Sequence, residues 1–186
     1  PAMLTQRIAP FVQAGDMDRI RRPTDWLGIN HYSPIYAKAD AASRLGFAWS
    51  DAPANVPRSP IGWQIDPDAF RDTLLDACDR YRLPIYVMEN GAGAEESGDA
   101  TGAVNDVARI DYLSRYIDAL EEAVTYGADV RGYFVWSLLD NFEWCAGYAS
   151  RFGLIRVDYP TQRRVPKASA RWYKATIAAQ VRGGVS

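Results

Sequence analysis

The stretch from Pro84 to Gly91 constrains the fold of this chain more than any other. Its residues from Ile85 to Met88 carry no charge, and Glu89 and an Asn-Gly turn signal follow them. A short, continuously apolar run between Pro and Gly predicts a strand that is buried on both faces. Such strands belong to parallel sheets covered by helices, and α/β folds place their chemistry at the carboxyl ends of these strands. Glu89 is therefore predicted to be a catalytic carboxylate; the alternative is a strand-end glutamate in a structural salt bridge.

Two further apolar runs, at residues 26–32 and 130–139, also predict buried strands, and both lead into polar and aromatic residues. Helices are predicted between the strands, because apolar residues recur at helical spacing after Asp66-Pro67 and after Asn105 or Asp106. The inner face of the second helix is expected to consist of Ile110, Leu113, Ile117, Leu120 and Val124. Alternating helices and strands predict parallel strands joined by right-handed crossovers, which is an α/β fold.

The remaining segments are expected to surround this sheet. Residues 33–62 show no clear periodicity, and long irregular connections are usually functional walls or lids, or else disordered. Residues 91–104 are acidic and rich in Gly and Ala, which favours an exposed loop. The other predicted elements are a helix over 2–13, a hairpin over 152–165 and a last helix over 167–181.

The order of elements fits a (β/α)8 barrel better than a dinucleotide-binding fold. The latter wants a glycine-rich turn, and Gly91-Ala92-Gly93 lacks a third glycine at the right offset. Three strands are too few to close a barrel, which needs about eight. We therefore expect residues 1–186 to form one partial catalytic domain, the C-terminal part of a (β/α)8 TIM barrel with about strands six to eight. The start at Pro1, without an initiator Met, fits a missing N-terminal portion.

Composition excludes several classes of function. The chain has 21 Lys and Arg against 23 Asp and Glu, so it has no electrostatic signal for nucleic acid or an anionic membrane. Cys78 and Cys145 lie in no metal-binding motif, and His31 is the single histidine, which argues against zinc sites, a disulfide framework and Ser-His-Asp catalysis. No run of eighteen apolar residues exists to span a membrane. We expect no cofactor and a cytoplasmic location, with secretion left open because a signal peptide could precede Pro1.

Polar and aromatic side chains gather at the carboxyl ends of the three predicted strands, which meet on one face of a parallel barrel. This set comprises Asn30, His31, Tyr32, Glu89, Asn90, Trp136, Glu143 and Trp144. Carboxylates and amides pair with sugar hydroxyls, while indole rings lie against the C–H faces of a sugar. The combination favours a carbohydrate ligand, with Glu89 between Tyr32 and Asn90 as a nucleophile.

Three motifs resemble the C-terminal part of glycoside hydrolase family 1 β-glucosidases. Residues 25–32 resemble the strand-six motif of that family, residues 85–91 its nucleophile motif on strand seven, and residues 132–144 with 151–154 its strand-eight signature. The three occur in the family order and at family-like spacing, which is far more specific than any one motif. The resemblance implies a retaining β-glycosidase that hydrolyses terminal non-reducing β-linked sugars through a covalent glycosyl-enzyme intermediate.

The resemblance also implies catalytic roles. Glu89 would be the nucleophile, Tyr32 would donate a hydrogen bond to it, and Asn30 would support the site. His31 departs from the family, since many relatives have Tyr there. On a strand its side chain should point away from that of Tyr32, so we expect a structural role for it.

The same resemblance implies a sugar-binding role for five other residues. Glu143 would grip two hydroxyls of the terminal sugar and Trp144 would bond one of them. Trp136 would form the platform under the ring, Phe152 would pack nearby and Trp63 would stack on the aglycone. Each has a structural alternative: barrel packing for the three Trp, an Arg partner for Glu143 and a core position for Phe152.

One family motif is missing. The acid/base Glu of the family lies in an Asn-Glu-Pro sequence after strand four, and this chain has none. Four other carboxylates are loop or helix residues and make poor substitutes: Glu95, Glu96, Glu121 and Glu122. We therefore expect residues 1–186 to be inactive alone.

Two rival interpretations remain open. Relatives that act on 6-phosphoglycosides usually lack the Glu-Trp pair and have a Ser/Lys/Tyr phosphate grip after it. Here Glu143-Trp144 is present and residues 145–150 contain no Lys, which favours unphosphorylated sugars. The other rival is a catalytically degenerate sugar-binding barrel. In each case the expected partner is a small-molecule β-glycoside or oligosaccharide, and assembly into a homo-oligomer is left open.

Overall fold

A three-stranded parallel sheet with helices packed against it forms the centre of the structure. The structure is a computed structural model that describes residues 11–94, 96 and 102–183. For residues 181–183 it describes the backbone alone. The elements are α1 (Asp16–Ile20), β1 (Leu27–Asn30), β2 (Ala37–Ala39), β3 (Phe47–Trp49), α2 (Pro67–Tyr81), β4 (Ile85–Asn90), α3 (Val107–Thr125), β5 (Val130–Val135), a 3₁₀ turn (Trp144–Ala146), β6 (Ile155–Asp158), β7 (Arg163–Pro166) and α4 (Ala168–Gly183). Residues 2–10 of the helix predicted over 2–13 lie outside the described residues.

The sheet has the strand order β1-β4-β5, and both of its pairs are parallel. Asn30 is the register partner of Glu89, and Asn90 is the register partner of Val135. The carboxyl ends of the three strands therefore lie side by side, as the sequence predicts. The α/β arrangement is confirmed.

The start signal of α2 acts as predicted. The side chain of Asp66 accepts a hydrogen bond from the Ala69 N–H at 3.1 Å, and Pro67 occupies the first turn. The helix ends at Arg82, which adopts a left-handed conformation with φ of 52°. Its inner face, which contains the fully buried Phe70 and Leu74, packs on the sheet.

The predicted inner face of α3 is wrong by about one residue. Leu113 is buried as expected, but the other buried apolar residues of this helix are Tyr112, Tyr116, Ala119 and Ala123. The two tyrosines reach the core because their hydroxyls find partners there, in the Asn90 amide and the Asp66 N–H. The predicted residues Ile117, Leu120 and Val124 instead line a cleft between α3 and α4.

The third strand is shorter than predicted, because β5 ends at Val135 and not at Leu139. After a cis peptide bond between Trp136 and Ser137, the chain turns to a different partner. The Ser137 N–H donates a hydrogen bond to the Phe152 carbonyl, and the Ser137 carbonyl accepts one from the Leu154 N–H. This segment therefore pairs with the start of the hairpin.

Two expected loops also differ from prediction. Residues 33–62 contain the antiparallel hairpin of β2 and β3. The described part of 91–104 is not an exposed loop, because Gly91, Gly93 and Val104 are buried. A Cβ atom at Gly91 would lie 1.9 Å from the carbonyl oxygen of Trp136, so only glycine allows this approach.

The C-terminal elements follow the prediction. Strands β6 and β7 form an antiparallel hairpin with Asp158 opposite Arg163, and α4 succeeds it. Within the part of the chain that the structure describes, none of the helices has the length and apolar character to cross a membrane.

Candidate active site

A short hydrogen bond joins the two residues that were predicted to form the catalytic pair. Glu89 lies near the end of β4 and Tyr32 lies just beyond β1, and the Tyr32 hydroxyl donates to Glu89 Oε2 at 2.6 Å. Burial and the hydrogen bond with Glu89 raise the pKa of Tyr32, and the nearby carboxylate of Glu143 adds to the effect. Tyr32 therefore keeps its proton and acts as a hydrogen-bond donor at the pH values where enzymes work.

Aromatic rings form one wall beside this pair. The Tyr32 ring meets that of Trp63 edge-on at a centroid distance of 5.3 Å, and it meets Phe152 at 6.3 Å. Phe152 is 1% exposed and Trp63 is 38% exposed. Phe152 is thus a core residue that also supports the site, while Trp63 presents an accessible indole to a ligand.

A second carboxylate, Glu143, pairs with an indole and not with an arginine. Trp136 Nε1 donates to Glu143 Oε2 at 3.3 Å, and the backbone N–H of Trp136 donates to the Asn90 carbonyl at 2.9 Å. Trp144, at the start of the 3₁₀ turn, is 81% exposed, and its indole makes no hydrogen bond or ring contact with the residues that the structure describes. The structure therefore brings Glu143 and Trp136 together and leaves Trp144 in solvent beside them.

An open cleft borders Tyr32, the hydrogen-bond donor of the pair. Asn30, the exposed last residue of β1, lies on its wall. The cleft has a volume of about 430 Å³ and is lined by Asn30, Tyr32, Ser33, Pro34, Ile35, Trp63 and Gln64. It combines amide and hydroxyl groups with apolar surface, as expected of a small-molecule site.

The sequence reasoning missed the role of Asn90. This side chain is fully buried, and its amide nitrogen donates to the His31 carbonyl at 2.8 Å and to the Tyr112 hydroxyl at 3.1 Å. Its amide oxygen accepts from the Tyr133 hydroxyl at 2.6 Å. The available signal was Tyr133 inside a predicted buried strand, since a buried phenol needs a polar partner.

The structural role predicted for His31 is confirmed by its surroundings. Its ring packs against Phe70 of α2 at 5.1 Å and against Tyr116 of α3 at 6.4 Å, on the side of the sheet away from the site. Its Nε2 is buried without a hydrogen-bond partner among the described residues. Burial lowers the pKa of His31, partly offset by the charge of Asp66.

A buried ionic cluster next to the site was not predicted. Arg109 binds the carboxylates of Glu96 and Asp106, and Lys167 binds those of Glu96 and Asp140. Because both oxygens of Glu96 face cations inside the protein, this residue is unsuited to proton transfer, as predicted. Among the described residues, no group of three or more His, Cys, Asp and Glu side chains is arranged to hold a metal ion.

Solved structures of a β-glucosidase superpose on this chain. A family 1 β-glucosidase from Thermotoga maritima superposes with a TM-score of 0.82 at 34% identity, over 96% of this chain and 40% of that one. The same enzyme in complex with deoxynojirimycin gives a TM-score of 0.81 at 35% identity, over 96% and 41% of the two chains. The class that this fold and site define is therefore that of the glycoside hydrolases.

Sequence comparison gives the family. Residues 2–181 match the model of glycosyl hydrolase family 1, and the chain belongs to this family. It is 44% identical over 185 residues to a bifunctional β-D-glucosidase/β-D-fucosidase of Bifidobacterium breve, which covers 90% of this chain and 40% of that protein. It is 40% identical over 177 residues to a β-glucosidase of an Agrobacterium species, covering 94% and 38%. The chain thus spans about two fifths of the length of these relatives, and the family predicted from the three motifs is confirmed.

Proposed function

We propose that this chain carries the nucleophile of a retaining β-glycosidase that acts on terminal, non-reducing β-linked sugars. The observation that supports this most strongly is the 2.6 Å hydrogen bond to Glu89 from Tyr32, which lines an open cleft. Only one oxygen of Glu89 is engaged, because Oε1 accepts no hydrogen bond from the residues that the structure describes. A carboxylate that is oriented by one oxygen and open at the other suits nucleophilic attack.

In the proposed reaction, an oxygen of Glu89 attacks the anomeric carbon while the bond from that carbon to the leaving group breaks. The leaving-group oxygen takes a proton from a general acid, and a glycosyl ester of Glu89 forms. Water then attacks the same carbon and gives a proton to the conjugate base of that acid, the ester bond breaks, and the carboxylate is regenerated with release of the sugar. Tyr32 holds Glu89 in position, since its raised pKa keeps it a donor throughout the cycle.

Residues of the third strand end are proposed to bind the sugar. The Trp136 indole provides a flat apolar face, and its Nε1 orients the Glu143 carboxylate, which can accept hydrogen bonds from two hydroxyl groups. The Trp144 indole N–H has no hydrogen-bond partner among the described residues and is proposed to bond one of these hydroxyls. Trp63 borders the open side of the cleft and is proposed to stack on the aglycone, with Phe152 behind it.

The general acid is proposed to come from sequence outside this chain. Retaining hydrolysis needs two carboxylates about 5–5.5 Å apart, and the chain lacks the Asn-Glu-Pro motif in which the family has its acid. We propose that the chain forms about strands six to eight, the C-terminal part of a (β/α)8 barrel, and that it is inactive without the remaining strands. Aryl-glucoside hydrolysis by residues 1–186 alone would contradict this.

Trapping of the intermediate tests the nucleophile. The complete enzyme, treated with a 2-deoxy-2-fluoro-β-glucoside, should gain the mass of one fluoroglycosyl group, and peptide mapping should locate it on Glu89. A label on any other carboxylate would refute the assignment. The absence of any label, together with retained glucose binding, would instead support a sugar-binding barrel without activity.

The substrate is proposed to be an unphosphorylated sugar. The carboxylate of Glu143 would repel a phosphate group on the sugar that it contacts, and residues 145–150 contain no Lys. The complete enzyme should therefore hydrolyse p-nitrophenyl glucoside much faster than its 6-phospho derivative. The opposite preference would overturn this part of the proposal.

A further inference from the structure

The hydrogen-bond ladder of the central sheet is irregular at Glu89. On one side of β4, Ile29 pairs with Val87 and the next residue of β1 pairs with Glu89, so that Met88 is skipped. On the other side, Val87 pairs with Tyr133 of β5, and the next pair of the register joins Asn90 to Val135. The irregularity is therefore a bulge over residues 88–89. Bulges re-aim a side chain, but they leave local backbone groups without ladder partners.

The Asn90 side chain replaces the contacts that the bulge removes. It joins three elements, because its amide bonds the His31 carbonyl after β1, the Tyr112 hydroxyl of α3 and the Tyr133 hydroxyl of β5. The backbone adds two bonds beside it: the His31 N–H donates to the Glu89 carbonyl at 3.0 Å, and the Trp136 N–H donates to the Asn90 carbonyl. The residue that follows the nucleophile is thus fixed on both sides of the strand.

We propose that Asn90, held by Tyr133 and Tyr112, is a positioning residue that fixes the bulge and thereby aims the Glu89 carboxylate at Tyr32 and the sugar. This inference rests on the proposed function of Glu89. The geometry supports it because His31, which the Asn90 amide holds by its carbonyl, directly precedes Tyr32. One amide therefore sets the backbone positions of both members of the Tyr32–Glu89 pair.

The groups around Asn90 are neutral, and each is held by a further contact. Burial raises the pKa values of Tyr112 and Tyr133, so both phenols stay protonated. The Tyr112 ring stacks on that of Tyr116 at 4.2 Å, and the Tyr133 carbonyl accepts a hydrogen bond from the Tyr173 hydroxyl. With no charge and no proton to exchange, these groups act on Glu89 through position alone.

Tyr133→Phe and Tyr173→Phe form a matched pair that tests the proposal in the complete enzyme. Each removes one phenol hydrogen bond of comparable length, but the first bond ends on Asn90 and the second on a backbone carbonyl. The probe is 2,4-dinitrophenyl 2-deoxy-2-fluoro-β-glucoside, whose burst of dinitrophenol counts the active sites. The rate constant for trapping, normalised to the number of active sites, and the dissociation constant of the probe are then measured.

For Tyr133→Phe, we expect the trapping rate constant per active site to fall about tenfold, because a small misplacement of a reacting group costs this much or more. The dissociation constant should change less than about twofold, since the binding groups are retained. Tyr173→Phe should lower the melting temperature to a similar extent and leave the rate constant unchanged. Asn90→Ala should lower the trapping rate constant more than Tyr133→Phe does. If Asn90→Ala does not fold, Tyr133→Phe still tests the proposal.

Equal trapping rates per active site in the two Phe variants would overturn the positioning role and leave Asn90 as a structural residue. Crystal structures of the two variants separate this result from a failure of the proposed function. The Tyr32–Glu89 hydrogen bond should be lengthened or lost in Tyr133→Phe and retained in Tyr173→Phe. A parent enzyme that is not labelled at Glu89 refutes the nucleophile, whereas an intact Tyr32–Glu89 bond in Tyr133→Phe refutes the positioning by Asn90.

Discussion

Two carboxylates, Glu89 near the end of β4 and Asp140 beyond the end of β5, belong to neighbouring strands, yet they are held in opposite ways. The Asp140 side chain is fully buried, and it accepts hydrogen bonds from Arg151 at 2.6 Å and from Lys167 at 3.0 Å. The backbone N–H of Gly153 adds a third at 3.0 Å. Both of its oxygens are therefore occupied by cations and N–H groups, and no part of it faces a ligand.

Glu89 is partly exposed and is held by the neutral Tyr32 hydroxyl through one oxygen. It forms no ion pair with the residues that the structure describes. The difference teaches how a strand-end carboxylate is assigned to structure or to chemistry. Saturation by cations fixes a carboxylate in the fold, whereas a single neutral donor orients it and leaves one oxygen for reaction.

The largest effect should come from Glu89→Gln in the complete enzyme. This change removes the nucleophile but keeps the shape of the side chain, so we expect kcat to fall at least roughly 10⁴-fold. The melting temperature should stay close to that of the parent enzyme, because no buried charge is left unpaired. Aryl-glucoside kinetics and thermal unfolding check both parts, and activity within tenfold of the parent would contradict the assignment.

Asp140→Asn should show the opposite pattern. It leaves the buried Lys167 and the nearby Arg151 without their common anion, which costs about 3–5 kcal/mol of unfolding free energy. Activity per titrated site should stay near that of the parent. Urea unfolding measures the first effect and burst titration the second. If activity per site instead falls as far as in Glu89→Gln, the contrast between the two carboxylates is wrong.

Tyr32→Phe sharpens the comparison, because it removes the neutral donor and leaves Glu89 in place. A hydrogen bond to a charged group contributes about 1.5–3 kcal/mol, so kcat/KM should fall between roughly 10-fold and 150-fold. Tyr36→Phe is a suitable control, since Tyr36 donates to Asp66 away from the site. A loss of activity in Tyr36→Phe as large as in Tyr32→Phe would show that stability, not orientation, explains the effect.

The smallest effect concerns the pH dependence of stability and His31. Burial lowers the pKa of His31 below its ordinary value of 6.5, so below pH 6.5 the unfolded chain binds a proton more readily than the folded chain does. The neutral imidazole thus makes its full contribution to the free energy of unfolding above pH 6.5. This contribution is lost as the pH falls toward the pKa of His31 in the folded protein. In His31→Phe, the free energy of unfolding should decrease less steeply as the pH falls, by at most about 1.4 kcal/mol per pH unit. Unfolding free energies at pH 5 and pH 8 test this, and an equal fall in both proteins would contradict it.

The parts of the site that sequence reasoning identified are those that depend on short stretches of chain. The apolar run before Glu89 and the Asp66-Pro67 start signal of α2 act within a few residues, so their patterns predict strand and helix without knowledge of the fold. The stripe on α3 was misplaced because Tyr112 and Tyr116 were not recognised as core residues. Their burial depends on polar partners that lie on other elements.

The sequence by itself determined that this chain is an α/β member of family 1 with a carboxylate, Glu89, at the end of a buried strand. Only the tertiary structure decided which groups surround that carboxylate. Tyr32 and Tyr133 lie 57 and 43 residues away from Glu89 and Asn90, the residues that they contact. A hydrogen bond depends on distance in space and not along the chain, so a strand-end carboxylate acquires its role only when the sheet brings its partners together.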